Sequence, residues 1–198
     1  IPTLEFSIAR GGDWIDEKTA SAVNSTPEKI CSMKESGDVD IDDPSTREEE
    51  ALSVYYKRLV DEALDHVVEE FVADAFHETM VRGNVDALAE YFSEDLDYYS
   101  SSGEHAGRAK LENDIEMFHR AFPDLDGQIK RIMSQDGTVS ILYELAGTHE
   151  GEIDWIPPTN QDMEAKGALI ARVDGTITEY RMIFDNLGML EQISVLQE

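Results

Sequence analysis

One cysteine, Cys31, stands in the whole chain, so no disulfide can close within it, which fits a reducing compartment. Basic residues are scarce too: 16 Lys and Arg against 43 Asp and Glu leave a net charge of −27. Such a field repels phosphate backbones and anionic lipid surfaces, which argues against nucleic-acid and membrane partners. No apolar run reaches the length of a membrane span. The opening stretch, IPTLEFSIAR, lacks the basic start and continuous apolar core of a signal peptide. Together these absences point to the cytoplasm. Also missing are a Gly-rich phosphate loop, a G-x-S-x-G nucleophile elbow and any Cys/His spacing suited to zinc. The expectation is therefore a protein without cofactor or metal. The acidic excess serves solubility, and in a sharper reading it suits a salt-rich, halophilic cytoplasm whose counterions screen the repulsion.

What is present suffices for one well-cored domain plus an extension, since 198 residues with 41% hydrophobic content are too few for two ordinary domains. Residues 1–45, punctuated by Gly11-Gly12, Asn24-Ser25-Thr26-Pro27 and Ser36-Gly37-Asp38, read as an acidic, flexible N-terminal extension. A short helix over Pro27 to Lys34 fits within it, and Phe6, Trp14 and Ile15 are its anchors if it packs on a partner. Residues 46–198 read as the domain. Ser45-Thr46-Arg47-Glu48 has the form of a capping box opening a long helix. Val60, Leu64, Val67, Phe71 and Ala75 mark its apolar face, and Gly83 its end. Asn84 caps a second short helix over Val85 to Phe92, and a first strand covers Asp95 to Ser100. Leu111, Ile115, Phe118 and Phe122 give a further helix its face, stopped by Pro123.

The last third is a meander. An apolar strand from Val139 to Gly147 is followed by Thr148-His149-Glu150-Gly151 and broken at Pro157-Pro158. A second strand runs to a turn at Asp174-Gly175, and a third, Thr176 to Phe184, ends in FDNLGMLEQI. Helices first and strands after them predict an α+β domain with an antiparallel sheet.

GTHEG, PPT, ALIARVDGTITEY and FDNLGMLEQI, with GNVDALAEYFSEDLDYY and FHRAFPDLDGQIKRI upstream, occur in this order over roughly residues 65–198. This set resembles the SnoaL-like polyketide cyclase family of the nuclear-transport-factor-2-like superfamily. The resemblance implies a cone-shaped α+β fold, a curved antiparallel sheet around a cavity, N-terminal helices closing it, and a homodimer formed through the sheet. It further implies cofactor-free acid/base ring closure, of aldol type, on a small apolar carbonyl substrate. In this family an Asp on the last strand and a His on the strand before it act as the acid/base pair. Counted from the Asp174-Gly175 turn, those positions hold Met182 and Ala168, which cannot carry a proton.

Substitutes are then sought among nearby groups. His149 shares the parity of the apolar face Val139, Ile141, Tyr143, Leu145, as a pocket histidine would, though a strand-end histidine bonded to backbone has the same parity. Glu164 and Tyr180 share parity with the missing pair, and Tyr98 lies by the pocket mouth. Asp185 is a third candidate carboxylate and equally a helix N-cap. The catalytic candidates are thus His149, Glu164 and Asp185, and the pocket candidates Tyr98, Ala168, Tyr180 and Met182. A non-catalytic module that binds a small molecule or a partner on the same fold is the alternative. His66, Glu70, Asp74 and His77 line one helix face, yet no second helix offers matching ligands, and a solvated stripe explains them.

Overall fold

The structure, a computed structural model, describes residues 11–153 and 156–193. Its contacts divide the chain into two compact units, residues 1–67 and 68–198. Among the described residues no helix is long and apolar enough to cross a membrane.

The first unit is helical. Helices α1 (Gly12–Val23) and α2 (Pro27–Ser36) precede the start of the long α3 (Arg47–Ala75). Thr26 caps α2 through its hydroxyl, Pro27 follows at the first helical position, and Gly37 ends the helix in the left-handed region. Ile15, Ala20, Ile30 and Leu52 form a small buried cluster, with Trp14 packed edge-on to Tyr55. Buried Asp16 is paired with Lys34 at 2.6 Å. Phe6, the remaining expected anchor, lies outside the described residues.

The box opening α3 is one residue later than the sequence suggests. Thr46 Oγ1 accepts from Glu49 N and Glu49 Oε2 accepts from Thr46 N, while Ser45 donates to the same oxygen through both its amide and its hydroxyl. The predicted apolar face also needs correction. Ala75 is buried and Phe71 packs against the core as expected, but Val60 and Leu64 are exposed, and the other buried apolar positions on this helix are Leu52 and Val72. A single turn of π-helix, Phe76–Val81, follows α3, and Gly83 ends the run with φ 67°.

The second unit holds the sheet. A 3₁₀ turn (Val85–Ala87) and α4 (Leu88–Tyr91) lead into β1 (Phe92–Tyr99), a short β2 (His105–Ala106) and α5 (Arg108–Ala121). Then come β3 (Asp126–Gln135), β4 (Thr138–Thr148), β5 (Asp162–Asp174), β6 (Thr176–Phe184) and α6 (Asn186–Gln192). The strand order is β2-β1-β6-β5-β4-β3, an open sheet. The α+β class is as expected, with one difference in the sheet: β1 runs parallel to β6. Consecutive strands of the meander pair antiparallel, β3–β4 and β5–β6 through tight turns and β4–β5 through the proline loop, whereas β1 reaches β6 only after α5 and the intervening strands, so its direction is free of any hairpin.

Two turns fix the meander's register. Asp136 and Gly137 both have positive φ, as a primed hairpin turn demands, and Gly175 sits at φ 70°. One face of the sheet is the core, with Ile141, Tyr143, Leu169, Ala171, Ile177 and Tyr180 essentially without exposure. On the opposite face Leu142, Ala168 and Ile183 stand in register across β4, β5 and β6, and Leu142 and Ile183 are exposed.

Candidate functional site

A cavity of about 370 Å³ opens between the core face of the sheet, α5 and α6. Its wall is mostly apolar: Met80, Met117, Phe118, Leu145, Met182, Phe184 and Met189. Alternation along β1 and β6 points Tyr98 and Met182 inward, and the i, i+4 spacing on α5 brings Lys110 and Asp114 to one face beside buried Leu111 and Ile115. The Tyr98 hydroxyl donates to Asp114 Oδ2 at 3.0 Å and lies 3.8 Å from Met182 Sδ. Lys110 Nζ is bonded to the other oxygen, Asp114 Oδ1, and lies 3.8 Å from Glu104 Oε2. Phenol, carboxylate and ammonium thus form one chain on an otherwise apolar wall. Burial, and after it the negative charge of Asp114, hold the Tyr98 phenol well above its ordinary pKa, so it stays a donor. Ser100, Ser101, Ser102 and Asn186 line the cavity as well: Ser100 and Ser102 share a 2.8 Å bond, and Asn186 Nδ2 donates to the Ser101 carbonyl.

A neighbouring cavity of about 450 Å³ is lined by Asp126, Gln128, Glu144, Glu164, Lys166 and Asp185 over a floor of Leu145, Ala165 and Met189. Glu144 is paired there with Lys130 at 2.8 Å and, less closely, with Lys166 at 3.7 Å, which holds its carboxyl below the ordinary range.

The residues singled out from sequence are dispersed by the fold. Tyr98 and Met182 meet in the first cavity. Ala168 does not line it. Counting back from the Asp174-Gly175 turn pairs Ala168 with Met182, but a bulge leaves Thr178 unpaired between Arg172↔Glu179 and Val173↔Ile177, and this sets Leu169 opposite Met182. Ala168 instead lies opposite Leu142 and Ile183 on the outer face. The same shift turns Glu164 out of the first cavity and into the rim of the second, where its backbone N and O are both bonded by the Gln192 side chain. Tyr180 is fully buried behind Met182 and stacked on Tyr98, with centroids 6.4 Å apart. Asp185 caps α6, accepting from Gly188 N at 2.9 Å.

His149 is completely buried just beyond the end of β4 and lines neither cavity. Its Nδ1 is 3.0 Å from Thr159 Oγ1, and its backbone holds the proline loop through Gln161 and Asn160. Desolvation depresses its pKa, so it is a neutral histidine tying that loop. Asp124, bonded by Thr148 N and Oγ1, secures the same strand end. Asp114 and Lys110 were invisible to a reading that used α5 only for its apolar stripe; their i, i+4 spacing immediately next to Leu111 and Ile115 was the available signal. Among the described residues no three His, Cys, Asp or Glu side chains group so as to hold a metal.

The family model of SnoaL-like polyketide cyclases matches residues 64–193. A second model, Volactin, matches residues 1–86, less than half of the chain. No curated protein matches. Among solved structures, a SnoaL-like polyketide cyclase of Jannaschia sp. aligns at 20% identity with TM-score 0.62, covering 67% of this chain and 95% of that one. AclR of Streptomyces galilaeus, described as a hydroxylase, aligns at 24% identity and TM-score 0.57, covering 65% and 87%. IdmH of Streptomyces antibioticus, described as a polyketide cyclase, aligns at 24% and 0.57, covering 64% and 97%. At these identities the three speak for the fold.

Proposed function

Since the chain belongs to the SnoaL-like polyketide cyclase family, we propose that it performs acid/base ring closure on a small, largely apolar carbonyl compound held in the cavity beneath Tyr98 and Met182. The observation that carries this reading is the Tyr98–Asp114–Lys110 chain on an apolar wall. It supplies proton-transfer groups where Met182 and Leu169 supply none.

In this reading the Asp114 carboxylate takes a proton from a carbon beside a carbonyl. The electron pair moves to the carbonyl oxygen, and the enolate is stabilised by N–H donation from Lys110 and O–H donation from Tyr98. The enolate carbon then attacks a second carbonyl of the same molecule, forming the ring bond. The resulting alkoxide recovers the proton from Asp114, so the closure is balanced without any co-reactant. The apolar wall keeps water out and orients the two carbonyls. We assign no proton-transfer role to His149, Glu164 or Asp185, whose bonds serve the loop, the strand edge and the α6 cap.

A second reading, a binding module without turnover, is favoured by one feature: both Asp114 oxygens already have partners. Exchange of the α-protons of 2-tetralone in D2O, followed by proton NMR, separates the two. Acceleration by the protein, reduced about 100-fold in Asp114→Asn and unchanged in Glu164→Gln, is the expected result. Binding of 2-tetralone without any acceleration would leave only the binding module, and full activity in Asp114→Asn would remove Asp114 from the mechanism.

A further inference from the structure

Two buried phenols behind the cavity have no hydrogen-bond partner among the described residues. Tyr143 is 1% exposed and Tyr180 is 0% exposed, and the hydroxyl oxygen of each is unpaired. A buried hydroxyl deprived of water and of a partner is costly, and such groups are rare in folded proteins. A phenylalanine would fill either place without that cost, so the oxygens need an explanation.

Their placement supplies one. Tyr180 precedes cavity-lining Met182 by two residues on the same face of β6 and is stacked on Tyr98, the cavity's own donor. Tyr143 stands opposite Gly167, and its phenol end lies so closely over that glycine that a Cβ there would collide with it. Gly167 is in turn opposite Phe184, and Leu145 follows Tyr143 by two on the same face; both Phe184 and Leu145 are wall residues. The two rings therefore flank the wall from either side of Met182. The Met182 thioether on this wall lies 3.8 Å from the Tyr98 hydroxyl, on a side chain of three flexible bonds that can swing aside for an occupant.

We propose that Tyr143 and Tyr180 are the inner polar end of this cavity, hydrogen-bonding an oxygen function, a carbonyl or a hydroxyl, on the leading end of an otherwise apolar, ring-sized ligand. The inference rests on the cavity being the ligand site and adds what that ligand must carry. An oxygen at the deep end, bonded by two fixed phenols, fixes which end of the molecule enters first. It leaves the other end of the molecule beside Asp114 and Lys110. Tyr143 and Tyr180 are in this sense specificity residues, acting through orientation.

The test compares two probes of nearly equal shape, 2-naphthol and naphthalene, by fluorescence titration of the wild-type protein and of Tyr143→Phe, Tyr180→Phe and the double variant. Each substitution removes a single unpaired oxygen, and thermal melting verifies that folding is retained. The expected result is that 2-naphthol binds wild type more tightly than naphthalene, and that each single variant loses about five- to tenfold affinity for 2-naphthol alone. Tyr98→Phe, run in parallel, separates the contribution of the Tyr98–Asp114 bond. Equal binding of both probes in wild type and variants would overturn the inference while leaving the cavity as a ligand site. Failure of both probes to bind wild type would overturn both the inference and the reading on which it rests.

Discussion

Tyr98 and Tyr143 are both buried tyrosines on the core face of one sheet, yet they predict opposite responses to the same substitution. Tyr98 donates to a carboxylate, so Tyr98→Phe removes a charge-assisted bond and is expected to cost about 1–2 kcal/mol in urea unfolding. Tyr143 has no partner, so Tyr143→Phe is expected to leave stability unchanged or to raise it. Equal losses in both variants would contradict the assignment of partners. At this scale the sequence revealed side chains but not their company. Tyr98 was reachable from its place on the first strand, whereas its partner Asp114 lies 16 residues on, where only an i, i+4 spacing from Lys110 beside the apolar stripe of α5 marks it. His149 had the right parity for a pocket, and its burial is real, but a strand that ends at Thr148 leaves it in the loop rather than on the wall.

Element boundaries were legible wherever a residue type is demanded by backbone geometry. Asp174-Gly175, Gly83 and the Asp185 cap all mark ends found in the structure. The bulge at Thr178 was not legible, because any residue can occupy it, and that one extra residue exchanged Ala168 for Leu169 opposite Met182. The face of α3 was legible only at its C-terminal end: Phe71 and Ala75 pack in the core, while Val60 and Leu64 keep helical spacing yet remain exposed. Two expectations belong here. Asp185→Ala should cost about 1 kcal/mol through loss of the α6 cap, read by chemical denaturation, and an unchanged midpoint would deny the cap its role. At the start of α3, hydrogen bonds from Ser45, Asp40 and Thr46 lower the Glu49 carboxyl to about 2 from 4.5. Because folding depresses this pKa, the stabilisation is complete above the unfolded value and is lost as pH falls through the folded one. The stability gap between wild type and Glu49→Gln should accordingly shrink as pH drops from about 5 to about 2. A gap independent of pH would show that the charge of Glu49 contributes nothing.

For the molecule as a whole, the net charge of −27 and the outer sheet face set the expectations. Dense like charge opposes compaction, and salt screens it, so the melting temperature should rise by several degrees between low and molar KCl. A flat or falling response would remove the salt-rich reading of the acidity. Leu142 and Ile183, 46% and 57% exposed on either side of Ala168, form an apolar row of the sort that a second copy covers. Gel filtration should show a dimer that Ile183→Asp converts to a monomer, and a wild-type monomer at every salt concentration would rule this out. The family and the α+β class were readable from the order of motifs along the chain, since that order follows the meander. Of the site, Tyr98 and Met182 were readable and Asp114 and Lys110 were not, because it is assembled from β1, α5 and β6, which no local pattern connects.

The central claim is that the cavity beneath Tyr98 and Met182 takes the ligand, and the seven methionines offer the most direct test. Met80, Met117, Met182 and Met189 line this cavity, only Met189 also lines its neighbour, and Met33 and Met133 line neither. With the methionine methyl groups carrying carbon-13, 2-tetralone is titrated into the protein and the methyl spectrum is followed. The expected result is a concerted shift of the Met80, Met117, Met182 and Met189 signals, with Met33 and Met133 unmoved. A shift confined to Met189, or no shift at all, would contradict the account.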